Sequence, residues 1–88
     1  MKLLFTEAAW EDYLHWQAED PATLRKLNEL IKDIRHRPFE GLGKPEPLRA
    51  RLSGWRSRRI TQDHRLVYRV EGTGSEQRVV IAQCRYQY

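Results

Sequence analysis

The sequence predicts one α+β domain in which a helical hairpin covers one face of a sheet. Three observations carry this. Two helix-like segments with clear start signals follow a short apolar run. Strand-like segments separated by short turns fill the second half. The 88 residues suffice for one compact domain and no more, so 1–88 is read as a single unit.

The elements follow in order. "KLLF" is a short apolar run read as a strand. Thr6 can cap a helix that carries Glu7 in its first turn, with Trp10, Tyr13, Leu14 and Gln17 on one face. Asp20 and Pro21 are an N-cap and first-position pair that starts a second helix. Leu24, Leu27, Leu30, Ile31 and Ile34 form its apolar stripe, and Pro38 ends it near Arg37. The short junction between the two predicts an antiparallel hairpin. "PFEGLGKPEPL" is a loop by its prolines and glycines. Strands are expected near 49–53, 55–61, 65–71 and 78–88, joined by Ser53-Gly54, Asp63-His64 and "EGTGSEQ". The order is β-α-α-β-β-β-β, or β-α-α-β-β-β if the first two of these merge. Short connections imply an antiparallel meander with one face left for solvent or a partner.

Composition narrows the function. The single Cys84 cannot form an internal disulfide, which fits a reducing cytoplasm. It is expected to be a small buried hydrophobe. "MKLLFTEAAWEDY" begins like a signal peptide, but acids interrupt the apolar run after Phe5. No stretch reaches the ~20 apolar residues of a membrane span, so no membrane partner is expected. Residues 44–69 hold eight basic side chains (Lys44, Arg49, Arg51, Arg56, Arg58, Arg59, Arg65, Arg69) against Glu46 and Asp63, giving this segment +6 within a chain of +4. Clustered arginines with few acids to pair with are the footprint of a nucleic-acid partner.

Metal chemistry finds no support, because His15, His36 and His64 lie at no ligand spacing with each other or with Cys84. Gly43-Lys44 is followed by Pro45, which excludes a phosphate-binding P-loop. Glu46 lies between Pro45 and Pro47, which stiffen it toward extended backbone. A carboxylate held beside arginines suits proton abstraction at a phosphodiester. A turn residue that merely neutralises an arginine is the competing reading. The closing "CRYQY" carries aromatic residues to Tyr88, where termini usually turn polar and loose. That end is either packed structure or part of a site.

"KPEPL", "LSGWRSRRI", "HRLVYRV" and "CRYQY", with "WEDYLHWQ" and "LNELIKDIRHRPFEG", together resemble the YoeB/Txe family of bacterial toxins, within the RelE-like mRNA interferases. The resemblance spans nearly the whole chain. It implies a RelE-like fold, with two antiparallel helices on one face of a curved antiparallel sheet. It implies ribosome-dependent cleavage of mRNA in the A site, contact with ribosomal RNA and no cofactor. The implied protein partners are a YefM/Phd-type antitoxin with an acidic segment and, as in many members, a second copy of the toxin. By position, the general base falls on Glu46, the transition-state arginine on Arg65 and the terminal tyrosine on Tyr88. RNA contacts fall on Arg49 and Arg59, and the remaining cations of the segment (Lys44, Arg51, Arg56, Arg58) are expected to join them. The family closes on "RYHY" where this chain has "RYQY". Gln87 thus replaces the expected general-acid histidine, and an amide releases no proton near neutral pH. Three readings follow: slower or differently assisted cleavage, a histidine deliberately replaced so that a toxic protein can be produced, or a domain that binds ribosome and antitoxin without cutting and serves operon autoregulation.

Overall fold

Both helices start where their capping residues direct. In the computed structural model, which describes all 88 residues, strand β1 (Lys2–Phe5) leads into helix α1 (Glu7–Glu19) and helix α2 (Pro21–His36). The Thr6 hydroxyl accepts from Ala9 N–H at 3.1 Å and donates to Ala82 O at 3.1 Å. It therefore caps α1 and ties it to the sheet. Asp20 accepts from the Thr23 hydroxyl at 2.8 Å and from Thr23 N–H at 3.1 Å. These bonds hold its carboxyl below the ordinary aspartate range.

Strands β2 (Glu46–Pro47), β3 (Arg56–Arg59), β4 (Arg65–Glu71) and β5 (Arg78–Gln83) complete a five-stranded sheet of order β1-β5-β4-β3-β2. The α+β RelE-like layering is as the sequence predicts. Strands β2 to β5 pair antiparallel, whereas β1 lies parallel to β5. The sheet is therefore mixed at one edge. Both helices and three strands intervene between β1 and β5, a connection long enough to return the chain in the same direction.

Two strand expectations need correction. Residues 49–53 form no strand: Ala50–Leu52 is a 3-10 turn, Ala50 has φ +57, and Leu52 N–H and Ser53 N–H donate back to Arg49 O and Ala50 O. A two-residue strand, β2 (Glu46–Pro47), lies instead within the segment expected to be loop, and it stays short because Pro47 has no N–H to extend a ladder. The last strand stops at Gln83 instead of reaching Tyr88. Val67 pairs with Gln83 and Tyr68 with Ile81, so Ala82 is an extra residue that bulges the strand. Beyond it Tyr86 takes φ +63, and the chain leaves the sheet ladder.

The core lies between α2 and the sheet. Leu27, Leu30, Ile31 and Ile34 meet Leu66, Tyr68, Val79 and Ile81. Helix α1 departs from its expected face. Ala9 and Trp16 are its buried residues, while Trp10 and Leu14 are exposed. Trp10 instead stacks on Tyr13, with Phe5 edge-on to both. Trp16 reaches the sheet, its Nε1 donating to Cys84 O at 2.8 Å. Cys84 is buried, as expected. Burial, and then the Asp12 carboxylate, push its thiol up to about 12.

Candidate active site

Alternation along β3 and β4 sorts the arginine-rich segment onto two faces. Leu66 and Tyr68 face the helices, so Ser57, Arg59, Arg65 and Val67 face away from them. Register then aligns Glu46, Ser57, Val67 and Gln83 in one row across β2, β3, β4 and β5. Val67 is only 4% exposed although it lies outside the core beneath the helices.

The C-terminal segment touches this row along its length. Gln83 Nε2 donates to Arg85 O at 2.9 Å and to Tyr86 O at 3.2 Å. The Tyr88 hydroxyl donates to Glu46 Oε1 at 3.2 Å and lies 3.2 Å from Ser57 Oγ. A phenol has one hydrogen, so with that hydrogen on Glu46 the Ser57 hydroxyl donates to Tyr88. The result is a directed chain from Ser57 through Tyr88 to Glu46. Gln87 points elsewhere. Its Nε2 lies 3.4 Å from Gln62 O, a weak contact on the turn before β4.

Two residues along the strands, roughly 7 Å from the Ser57–Val67 pair, Arg59 stands directly opposite Arg65. Like charges in that position repel. One terminal nitrogen of Arg65 donates to Thr61 O, Gln62 O and His64 O at 2.8, 3.2 and 3.1 Å. The turn thereby fixes the guanidinium, and its other nitrogens have no protein partner. Beside the pair lies an open cleft of about 450 Å³, lined by Lys26, Lys44, Arg59 and Arg65 with no acid among its walls. Gly43 builds this cleft. A side chain there would meet Leu30 Cδ2 at 2.8 Å and Arg58 Cβ at 3.1 Å. Glycine alone lets the loop sit against α2 and bring Lys44 toward Lys26, one turn from Leu30. Lys44 itself takes φ +53, a conformation uncommon outside glycine.

The remaining expected contacts divide. Arg49 and Arg51 are exposed on the 3-10 turn that follows β2. Arg56 pairs with Tyr68 on the helix side, where its guanidinium lies 4.6 Å over the Phe39 ring. Arg58 is a correction. Alternation turns it away from the site, and its side chain is 0% exposed. It donates to Asp33 Oδ2 at 2.6 Å, Leu42 O at 3.1 Å, Arg37 O at 2.6 Å, Glu40 O at 2.7 Å and the Tyr68 hydroxyl at 3.2 Å. Every donor is used internally, so none is left for RNA. Asp33, bound by Arg37, Leu42 N–H and Arg58, is held far below the usual carboxylate range. Arg58 thus anchors the loop that carries Glu46.

Three participants were not expected. The alternation of "RSRR" could have separated Ser57 from Arg58. Lys26 left no signal, since it reads as one more charge on the polar face of α2. The bond that His64 makes to the C-terminal segment joins parts of the chain that no local pattern connects. No three His, Cys, Asp or Glu side chains converge where a metal ion could sit.

Comparisons with known proteins show the family and the fold. Residues 5–88 match the family of YoeB-like toxins of bacterial type II toxin–antitoxin systems. The chain is 56% identical to Toxin YoeB of Escherichia coli K12 over 88 residues, covering all of both chains. It is 52% identical to a YoeB/ParE toxin from Agrobacterium tumefaciens, with a TM-score of 0.98 and full coverage of both chains. It is 43% identical to a chain of the heterotetrameric YoeB–YefM toxin–antitoxin complex from Staphylococcus aureus, with a TM-score of 0.87 over 100% of this chain and 98% of that one.

Proposed function

Because the chain belongs to the YoeB-like toxin family of bacterial type II toxin–antitoxin systems, we propose that it is a ribosome-dependent endoribonuclease that cuts mRNA in the A site. The observation that supports this most is the Arg59–Arg65 pair, opposed without an anion beside the Glu46–Ser57 row. Two cations held apart in this way gain energy when a phosphodiester lies between them.

The chemistry follows from the groups present. Glu46 takes the proton of the ribose 2′-hydroxyl, and the 2′-oxygen attacks the adjacent phosphorus. The P–O5′ bond breaks, leaving a 2′,3′-cyclic phosphate and a 5′-hydroxyl. Arg65, pre-oriented by three carbonyls, and Arg59 stabilise charge on the phosphorane. No metal or cofactor enters this scheme. Tyr88 must turn its hydroxyl away from Glu46 as the substrate enters. The phenol then faces the leaving 5′-oxygen, which takes its proton from Tyr88 or from water. Gln87 can hold a phosphate or base through its amide but supplies no proton, so departure of the 5′-oxygen is the slowed step. Lys26 and Lys44 extend the phosphate track into the cleft, and Arg49 and Arg51 extend it past Glu46, whereas Arg56, on the helix side over Phe39, lies off the track. Some of these cations rest on ribosomal RNA.

Replacing Glu46 by Gln abolishes the base while keeping its size. Cleavage on programmed ribosomes should fall about 10²-fold or more, and a 2′-deoxy nucleotide at the scissile position should resist cleavage entirely. An unchanged rate for Glu46→Gln sinks the mechanism.

Gln87 favours a second reading, a binding module that occupies ribosome and antitoxin without cutting. Cleavage by Gln87→His but not by the present chain would establish it. In either case the inhibitor is a YefM-type antitoxin, as YefM accompanies YoeB in the Staphylococcus aureus complex. Its acidic segment would compete for the same cleft. The protein would act in the cytoplasm, where its ribosomes are, and a second copy of the chain is a further partner.

A further inference from the structure

His64 makes a bond that the proposed chemistry does not use. Its Nδ1 accepts from Tyr86 N–H at 2.7 Å. The next residue, Arg65, donates its backbone N–H to Tyr86 O at 2.9 Å. Two adjacent residues therefore hold both polar groups of one residue in the C-terminal segment. In an ordinary antiparallel pair the two residues exchange both bonds, so Arg65, whose N–H is accepted by Tyr86 O, would offer its own carbonyl to Tyr86 N–H. Here the His64 imidazole takes the place of that carbonyl.

The backbone of Tyr86 needs this hold. It sits at φ +63, a left-handed conformation that costs energy for any residue with a Cβ. The residue is 59% exposed, so packing does little to fix it. Upstream, the segment is secured by α1: Trp16 Nε1 binds Cys84 O, and Cys84 N–H donates to Asp12 Oδ2 at 3.1 Å. The Trp16 ring also lies edge-on to the His64 ring at 4.7 Å between centroids, which orients the imidazole. Downstream, Gln87 and Tyr88 hang from Tyr86 with only their side-chain tips bound.

We propose that His64 is a positioning residue. Its neutral imidazole, with the proton on Nε2, latches Tyr86 in the left-handed conformation and thereby aims Tyr88 at Glu46 and Gln87 at the Arg65 turn. This deepens the nuclease reading and rests on it for its consequence. The latch itself can be measured without cleavage.

The test uses the full chain, both as it stands and with Gln87→His. In ¹⁵N-labelled unmodified protein, a scalar coupling between Tyr86 N and His64 Nδ1 across the hydrogen bond is expected, and its absence overturns the latch. His64→Leu should speed hydrogen exchange at the Tyr86 amide about tenfold or more, the factor that one lost hydrogen bond gives. The amides of Leu66, Tyr68 and Ile81 should stay protected. In whichever chain cleaves, kcat should fall about tenfold with KM little changed. His64→Asn, whose Oδ1 can accept from the same N–H, should recover most of both losses. Unchanged exchange at Tyr86, loosened exchange with an unchanged kcat, or His64→Asn as poor as His64→Leu each overturns the proposal. If His64→Leu fails to fold, the coupling and His64→Asn still decide. If neither chain cleaves, the nuclease reading falls, and the coupling and Tyr86 exchange decide the latch by themselves.

Discussion

Tyr88 donates a hydrogen bond to Glu46 across 42 positions of sequence, and the same hydroxyl lies 3.2 Å from Ser57, the residue opposite Glu46 in the sheet. The proposed base is thus paired with a residue of the C-terminal segment that must move when substrate arrives.

Tyr88→Phe removes this hydroxyl and keeps the ring. In single-turnover assays on programmed ribosomes, cleavage should fall about 10²-fold if the phenol serves the leaving oxygen. Ser57→Ala, which removes only one neutral hydrogen bond, should cost a factor of about 5–10. Equal losses from the two would place the effect in packing instead.

Gln87→His restores a group that can release a proton. Cleavage should rise about 10²-fold or more, with little change in ribosome affinity. Thermal unfolding should be unmoved, because the Gln87 side chain makes one weak exposed contact.

Arg59→Ala and Lys26→Ala should each weaken binding of a short single-stranded RNA and lower the salt slope of the association constant by about 0.7. Anisotropy titrations from 50 to 300 mM salt would read this. Arg58 is the internal control, for its removal should act on stability. Arg58→Ala takes one donor from Asp33, which keeps Arg37 and Leu42 N–H, removes the guanidinium from the Arg37, Glu40 and Leu42 carbonyls, and empties a position where the side chain is 0% exposed. The expected cost is about 3–5 kcal/mol, a fall in Tm of more than 10 °C for a domain of this size.

Asp33 sets a pH dependence whose sign is fixed. Its folded pKa is depressed, first by Arg37, with Leu42 N–H and Arg58 adding to the effect. The stability it contributes is therefore fully present above the ordinary aspartate value near ~3.9 and is lost as pH falls below it. Asp20 and Glu71, depressed by Thr23 and by Arg69 and Arg78 respectively, act in the same direction. Urea unfolding should give similar stability at pH 7 and 5, then a decline through pH 4 and 3. Asp33→Asn should lower the plateau and flatten the decline.

The sequence carried the layering and the helix caps because these signals are local. Thr6, Asp20 and Pro21 act within one turn of their own positions. The strand ends were harder, because a positive φ at Ala50 or Tyr86 is imposed by distant partners and has no signature in residues that tolerate many conformations. The two helix faces show the same split. The stripe of α2 follows simple periodicity, but α1 buries Trp16 in place of Trp10 because the Cys84 carbonyl offers its indole a partner. For the candidate site, charge density singled out residues 44–69 and could not apportion their side chains between the two faces of the sheet. Arg58 and Arg59 are neighbours with opposite fates, and only the pleat of β3 separates the buried structural one from the one that lines the open cleft.

The row Glu46–Ser57–Val67–Gln83 takes one residue from each of four adjacent strands. Any break in the ladder, whether a frayed edge at β2 or a slipped register at the β5 bulge, scatters the row. No partial assembly of the sheet therefore carries a fraction of the site. On the proposed nuclease reading, a chain caught halfway through folding, or nicked and loosened by a protease, would not cut RNA. Activity would then arrive and depart with the cooperative transition of the whole domain, so whatever unfolds this protein would also disarm it.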